Sequence, residues 1–257
     1  MIKELIIKCI SFLLPQRILY FCEVFFSCCQ GKGYAQNIDL EILACLKFVK
    51  KNLKTVLDIG AHQGVYTSKL IEYYPNAKYH LFEPCKKNVF LLNKIFKNNS
   101  NIKIYNFALS SKNKRSILYS PADKSLLASL VKRDWSHHKI YFDNQQTVSS
   151  RRFDSINKKI KFSSIDYCKI DVEGHEIEVL KGFGKFIKKI KLIQFEFSDA
   201  NVDSRIFFKD LWIFFNDKNF KIYRISPSGP IRINSYKETD EYFRVTNFIA
   251  LNQSFIK

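Results

Sequence analysis

Asp171, Glu173, His175 and Glu176 crowd into one short stretch, K-I-D-V-E-G-H-E-I-E-V-L-K-G, from Lys169 to Gly182. Burying these acids in a core without partners is costly. A plain surface loop would not need the apolar approach S-I-D-Y-C-K-I that leads into them. The pattern predicts a strand that ends at a working surface, with carboxylates able to take a proton or orient a hydroxyl. Asp171, at the predicted strand tip, is the first candidate for that base. His175 is the second, because an imidazole titrates near neutrality. Glu173 is the third candidate; it also suits the start of the following helix, where an acid is favoured, or the fixing of a neighbour. Glu196, in Q-F-E-F-S, ends the next strand and faces the same surface.

Two further acids close earlier strands. V-L-D-I-G-A-H-Q-G-V-Y-T-S places Asp58 before Gly60, His62 and Gly64, in a turn that leaves a strand and opens a helix. A dinucleotide fold offers G-x-G-x-x-G there. The spacing here is D-x-G-x-x-x-G instead, and an acid at the mouth of the loop repels a pyrophosphate but attracts a cationic amino-acid moiety. That favours S-adenosylmethionine over a nicotinamide cofactor. Glu83 ends the second strand in Y-H-L-F-E-P, about 20 residues on, where doubly wound folds bind ribose hydroxyls. Asn106 and Ala108, closing a third strand, fall where a purine ring would lie.

These residues need a scaffold. Predicted strands at L-K-T-V-L-D-I-G, A-K-Y-H-L-F-E-P, I-K-I-Y-N-F-A-L, S-I-D-Y-C-K-I and I-K-L-I-Q-F-E-F-S alternate with helical segments. One helix is expected from His175 or Glu176 to about Lys189. Two late strands, F-K-I-Y-R-I-S and Y-F-R-V-T-N-F-I-A-L, complete the chain. Such alternation specifies an α/β fold, a mostly parallel sheet covered by helices on both faces, with ligands at the strands' carboxyl ends. At 257 residues, 46% hydrophobic and 15% aromatic, the chain fits one large domain. We divide it at residues 1–52, an amino-terminal helical extension, and 53–257.

V-L-D-I-G-A-H-Q-G-V-Y-T-S-K-L, Y-H-L-F-E-P-C-K-K-N-V-F-L-L-N-K-I-F, I-K-I-Y-N-F-A-L-S-S-K, R-R-F-D-S-I and above all I-D-Y-C-K-I-D-V-E-G-H-E-I-E-V-L-K-G resemble, in order, the FkbM-type S-adenosylmethionine-dependent methyltransferases. The resemblance runs from about Thr55 to Asn252. His62 stands where the family usually shows Asn. The resemblance implies a Rossmann-like class I fold with a seven-stranded sheet and a cofactor held by Asp58, Gly60, Gly64 and Glu83; His62 in the same loop is a further candidate contact, and Asn106 and Ala108 either meet the purine or simply pack their strand. It also implies O-methylation, typically of a sugar hydroxyl in glycan or secondary-metabolite synthesis.

The acceptor is expected to be chosen by the irregular stretch from Ser110 to Arg152. There Arg133, Trp135, His137 and His138 suit stacking on a sugar ring and hydrogen-bonding its hydroxyls; Glu196 either joins them in contacting the acceptor or anchors an arginine or a backbone amide. No ligand spacing for a metal is visible, and adjacent His137 and His138 do not easily serve one ion.

The formal net charge of +18 invites nucleic acid as a partner. The acids at the strand tips would repel phosphate, however, and D-V-E-G replaces the Asn/Asp-Pro-Pro-aromatic stretch usual where a base nitrogen is methylated. A non-catalytic assembly subunit is the other rival, and it would be marked by loss of Asp58, Glu83 or the later acids. All are present. The seven cysteines form no C-x-x-C pair and read as reduced thiols in a cytosolic compartment. The first 31 residues are strongly apolar but broken by Pro15 and interrupted by Lys8, Arg17 and Glu23. They predict two amphipathic helices rather than a membrane span or a cleaved signal. Three uses are open for them: packing on the main domain, a homodimer contact, or peripheral contact with a membrane.

Overall fold

The computed structural model describes residues 2–34, 37–49, 53–121 and 125–255. Residues 50–52, at the expected domain boundary, and 122–124, within the expected acceptor-selecting stretch, lie outside the described residues. The chain opens with α1 (Ile2–Leu13), α2 (Gln16–Cys29) and α3 (Ile38–Leu46). β1 (Thr55–Ile59), α4 (Val65–Tyr73), β2 (Lys78–Phe82), α5 (Lys86–Ile95) and β3 (Ile102–Tyr105) follow. Next come β4 (Ala108–Leu109), β5 (Lys114–Ser120), β6 (Asn144–Arg151), α6 (Phe153–Ile160), β7 (Ile165–Ile170) and α7 (Glu176–Gly182). β8 (Ile190–Phe197), α8 (Ala200–Ser204), α9 (Phe208–Asn216), β9 (Phe220–Ser226), β10 (Gly229–Ile233) and β11 (Thr246–Asn252) complete it.

The main sheet has eight strands in the order β10-β9-β11-β8-β7-β1-β2-β3. From β3 to β8 all neighbours are parallel, while β11 runs antiparallel between β8 and β9. Seven of these strands are the ones expected of the sheet. The eighth, β10, pairs antiparallel with β9 at the edge, where Pro230 is tolerated because an edge strand can spare a backbone N–H.

Every residue of β7 is buried, as a central parallel strand covered on both faces requires. One face of the sheet packs Leu57, Phe82, Ile170 and Phe195 against Leu180 of α7 and Phe208 and Phe215 of α9. The other packs Val56, Leu81, Tyr167 and Leu192 against Ile42 and Cys45 of α3 and Leu70 of α4. Thus α3 belongs to the core, although it lies within the expected extension. By contrast, α1 buries no residue.

Two expected elements are divided. The third strand breaks after Tyr105: Ile102–Tyr105 pairs with β2, whereas Ala108–Leu109 pairs with β6 in a small three-stranded sheet of order β4-β6-β5. The stretch from Ser110 to Arg152, expected to be irregular, carries the β5–β6 antiparallel pair at its two ends. The helix expected to reach Lys189 ends at Gly182, and a 3₁₀ segment from Gly184 to Lys189 continues it. Gly184 sits at φ +54°, a conformation an α-helix interior does not admit.

Candidate active site

The carboxyl ends of β1, β2, β7 and β8 surround a cavity with about 910 Å³ of empty space, its open mouth included. Small-molecule sites are commonly ~300–1,000 Å³. Its floor is held by close backbone approach. Gly60 has φ +84°, and a Cβ there would lie 1.8 Å from the Asp171 carbonyl oxygen. The turn after β1 therefore needs glycine to lie against the tip of β7.

Glu83, at the end of β2, knits two loops together. Its Oε2 accepts from the His62 backbone N–H at 2.8 Å, and its Oε1 from that of Cys85 at 2.8 Å and from Asn88 Nδ2 at 3.4 Å. Burial pushes its pKa up to about 7, against the pull of those donors. Oε2 keeps a second lone pair, so Glu83 can still accept a hydroxyl from the cavity it lines.

On the other side stand Asp171, Glu173 and Glu196, with carboxylate oxygens within 4.8 Å of one another. Lys169 Nζ donates to Asp171 Oδ2 at 2.6 Å. The two are i and i+2 on β7 and so share a face of the sheet. Burial alone would lower the Lys169 pKa, but Asp171 and Asp58 beside it hold it above its ordinary range. Arg133 Nη1 donates to Glu173 Oε2 at 2.6 Å, and burial together with Asp171 pushes Glu173 up to about 8. Glu196 is also raised well above its ordinary range, first by burial and then by Asp171 and Glu173. Such a cluster titrates as a unit. His175 Nε2 hydrogen-bonds Ser110 Oγ at 2.9 Å, and burial pushes its pKa down to about 4.

The structure brings together Gly60, His62, Glu83, Ala108, Asp171, Glu173, His175 and Glu196 as lining residues. Others are placed elsewhere. Asp58 is 2% exposed beneath the loop, where its Oδ2 accepts from Thr67 Oγ1 at 2.6 Å. Gly64 faces α5, where a Cβ would strike Phe96 and Leu92 at 2.7 and 2.8 Å. Asn106 is exposed and donates to the carbonyls of Glu83 and Pro84, so it braces the β2 tip from outside.

Arg133 does not offer itself to an acceptor. It is 3% exposed and spans Glu173, Asp199 at 3.0 Å and Asp203 at 3.8 Å. Trp135 stacks on the Arg133 guanidinium at 4.1 Å, and His137 and His138 lie against each other at 4.3 Å; none of the three lines the cavity. Of the two uses expected for Glu173, a helix start or the fixing of a neighbour, the structure shows the second, its pairing with Arg133. The adjoining loop is held by Glu176, whose Oε1 accepts from the Val172 and Gly174 N–H groups.

Leu118, Leu126, Leu127, Leu130, Leu109 and Asn88 line the cavity without having been singled out from sequence. The L-L-A-S-L run at residues 126–130 was a visible signal, an apolar patch inside a polar stretch. No spacing was visible for a metal set, yet the fold gathers three carboxylates. Lys169 and Arg133 already offset two of those charges.

A dinucleotide does not suit this cavity, since no Lys or Arg lines it among the described residues. A cationic ligand carrying a diol does: Glu83 accepts one of the hydroxyls, Ile59, Phe82 and Leu109 give an apolar wall, and the acids meet a positive charge. Comparison with known proteins matches residues 58–222 to the Methyltransferase FkbM domain. The chain belongs to the FkbM methyltransferase family. This FkbM protein is an S-adenosylmethionine-dependent methyltransferase. It is 26% identical over 174 residues to the 2-O-methyltransferase NoeI of Sinorhizobium fredii, across 61% of this chain and 68% of that protein. Among solved structures, the Methanococcus jannaschii fibrillarin pre-rRNA processing protein aligns with a TM-score of 0.48 and 11% identity, covering 83% of this chain and 74% of that one. A precorrin-6y C5,15-methyltransferase from Geobacter metallireducens aligns at 0.45 and 11%, covering 83% and 88%.

Proposed function

We propose that the enzyme methylates a hydroxyl oxygen of a neutral sugar, in the synthesis of a glycan or a glycosylated secondary metabolite. The observation that carries this reading is the convergence of Asp171, Glu173 and Glu196 on one wall of a cavity with no cationic lining residue among those described. Bound S-adenosylmethionine supplies an activated methyl group on a sulfonium. Glu83 would hold one of its ribose hydroxyls, with Gly60 and His62 along the same loop.

The chain's own residues then have to orient a weakly nucleophilic hydroxyl and remove its proton. Asp171, kept in place by Lys169, accepts a hydrogen bond from the hydroxyl and orients it. Glu196 takes the proton at a carboxylate oxygen. Its raised basicity suits it better than His175, whose affinity for a proton is lowered by burial. His175 is left to hydrogen-bond Ser110 and a neighbouring hydroxyl. Orientation of this kind supplies up to about 7–11 kcal/mol in favourable cases, and a base adds about 10²–10⁴ in rate. NoeI, a 2-O-methyltransferase by name, supports oxygen as the acceptor atom.

The test is transfer of labelled methyl from S-adenosylmethionine to a panel of neutral saccharides, free and lipid-linked, beside tRNA and amine acceptors. Product on saccharide oxygen supports the reading, and product confined to RNA or to nitrogen removes it.

A further inference from the structure

The α1–α2 arm is the largest feature that methyl transfer does not use. α1 puts no residue into either side of the core, and Phe12 is 91% exposed. Its polar residues Lys3, Glu4, Lys8 and Ser11 fall on one helical face by 3.6-residue spacing, leaving Leu5, Ile6, Cys9, Ile10 and Leu13 on the other. On α2, Ile18, Phe21 and Phe25 make an exposed stripe, and Phe21 stacks on Phe25 at 6.0 Å. An apolar surface this continuous marks an interaction site.

The arm's shape argues for lying on a membrane rather than crossing one. α1 and α2 have 12 and 14 residues, so each is roughly 18–21 Å long, against a hydrocarbon core of ~30 Å. They meet at a bend of 118° around Leu14 and Pro15. Charge decides between a lipid surface and a second copy. Two chains of net charge +18 repel each other, whereas an anionic surface attracts either one. Basic side chains also accompany the arm itself: Lys3, Lys8 and Arg17 along it, and exposed Arg244, whose Nη2 donates to Tyr20 Oη at 3.5 Å.

The arm's root adds a functional consequence. The Gly33 N–H donates to Thr246 Oγ1 at 2.9 Å, and Thr246 pairs with Phe197, the residue after Glu196. The arm therefore joins the sheet at the end that carries the cavity. We propose that α1 and α2 dock the enzyme on an anionic membrane surface, lying in the headgroup layer through Phe12, Phe21 and Phe25.

The test is co-sedimentation of the full chain with vesicles of phosphatidylcholine alone or mixed with phosphatidylglycerol, at low and high salt. Light scattering gives the mass in solution. Binding to the mixed vesicles that salt reverses is expected, and F21E/F25E should weaken it about tenfold or more. S-adenosylhomocysteine affinity, measured alongside, should not change in that variant, which shows that it folds and separates this test from that of the methylation site. The proposal is overturned if the wild type binds no vesicles, binds neutral ones equally, or partitions unchanged as F21E/F25E. It is also overturned if the wild type is a dimer that F21E/F25E dissociates while vesicles remain unbound, because a second copy then covers the face.

Discussion

At the tips of β7 and β8, polar side chains that would be costly alone are tied to named partners: Asp171 to Lys169, Glu173 to Arg133, His175 to Ser110. On α1 and α2, apolar side chains that would gain from burial are exposed, from Leu5 to Phe26. Each region departs from the ordinary rule of polar outside and apolar inside, in opposite directions. The departure at the strand tips is compensated within the chain and sets up chemistry. The one on the arm is not compensated within the chain and calls for something outside it.

Substitutions at the strand tips should have the largest effects. Glu196→Gln removes the proton acceptor, and single-turnover methyl transfer should fall by about 10²–10⁴. Asp171→Asn should cause a loss of the same order with S-adenosylmethionine affinity retained, and full turnover by either variant would refute its role. Glu83→Ala deletes the acceptor for a ribose hydroxyl and loosens both loops. Calorimetry should show cofactor binding weaker by about 1.5–3 kcal/mol, the worth of one charged hydrogen bond.

Arg133→Met tests compensation directly. It leaves Glu173, Asp199 and Asp203 without their shared cation. Breaking a buried pair from one side costs about 3–5 kcal/mol, to be read from denaturant melts. Adding Glu173→Gln should recover part of that loss, and an additive double variant would show that the two do not interact.

A pH titration of stability should show a smaller effect. In the fold Glu83 and Glu176 are pushed up to about 7 and Glu173 to about 8, chiefly by burial. Glutamate in an unfolded chain titrates near ~4.3. The folded chain thus binds these protons more tightly, so stability falls as pH rises through the folded values. His80 and His175, pushed by burial down to about 4, act oppositely, but only below their unfolded value of ~6.5. Above that pH the acids alone remain. The melting temperature should decline from about pH 6.5 to 8, and Glu83→Gln should flatten the decline. The smallest effect belongs to the arm: F21E/F25E should change stability in solution by no more than about 0.5 kcal/mol, as at surface positions whose contacts stay within one exposed helix.

β1, β2, β7 and β8 could be read directly because buried parallel strands are short apolar runs, here each bounded by an acid or a glycine. Glu83, Asp171 and Glu196 were legible for the same reason: an acid that ends such a run must stand at the sheet's edge. β10 was not legible, because Gly229-Pro230 reads as a turn until an edge position makes proline harmless. Arg133 was misplaced for a different reason. Beside Trp135 it looks like a surface contact for a sugar, but its partners Glu173 and Asp199 lie 40 and 66 residues away.

The sequence by itself determined the strands of the parallel half and their succession along the chain, the positions of the acids and the family, because each is written in a local pattern of apolar runs and motif spacing. Tertiary structure alone decided which acids share a wall, which cations offset them, and that the leucines at 126–130 rather than Trp135 or the histidines face the cavity. Charge compensation and cavity lining depend on distances between segments far apart in the chain. No local pattern encodes those distances until the sheet has closed around them.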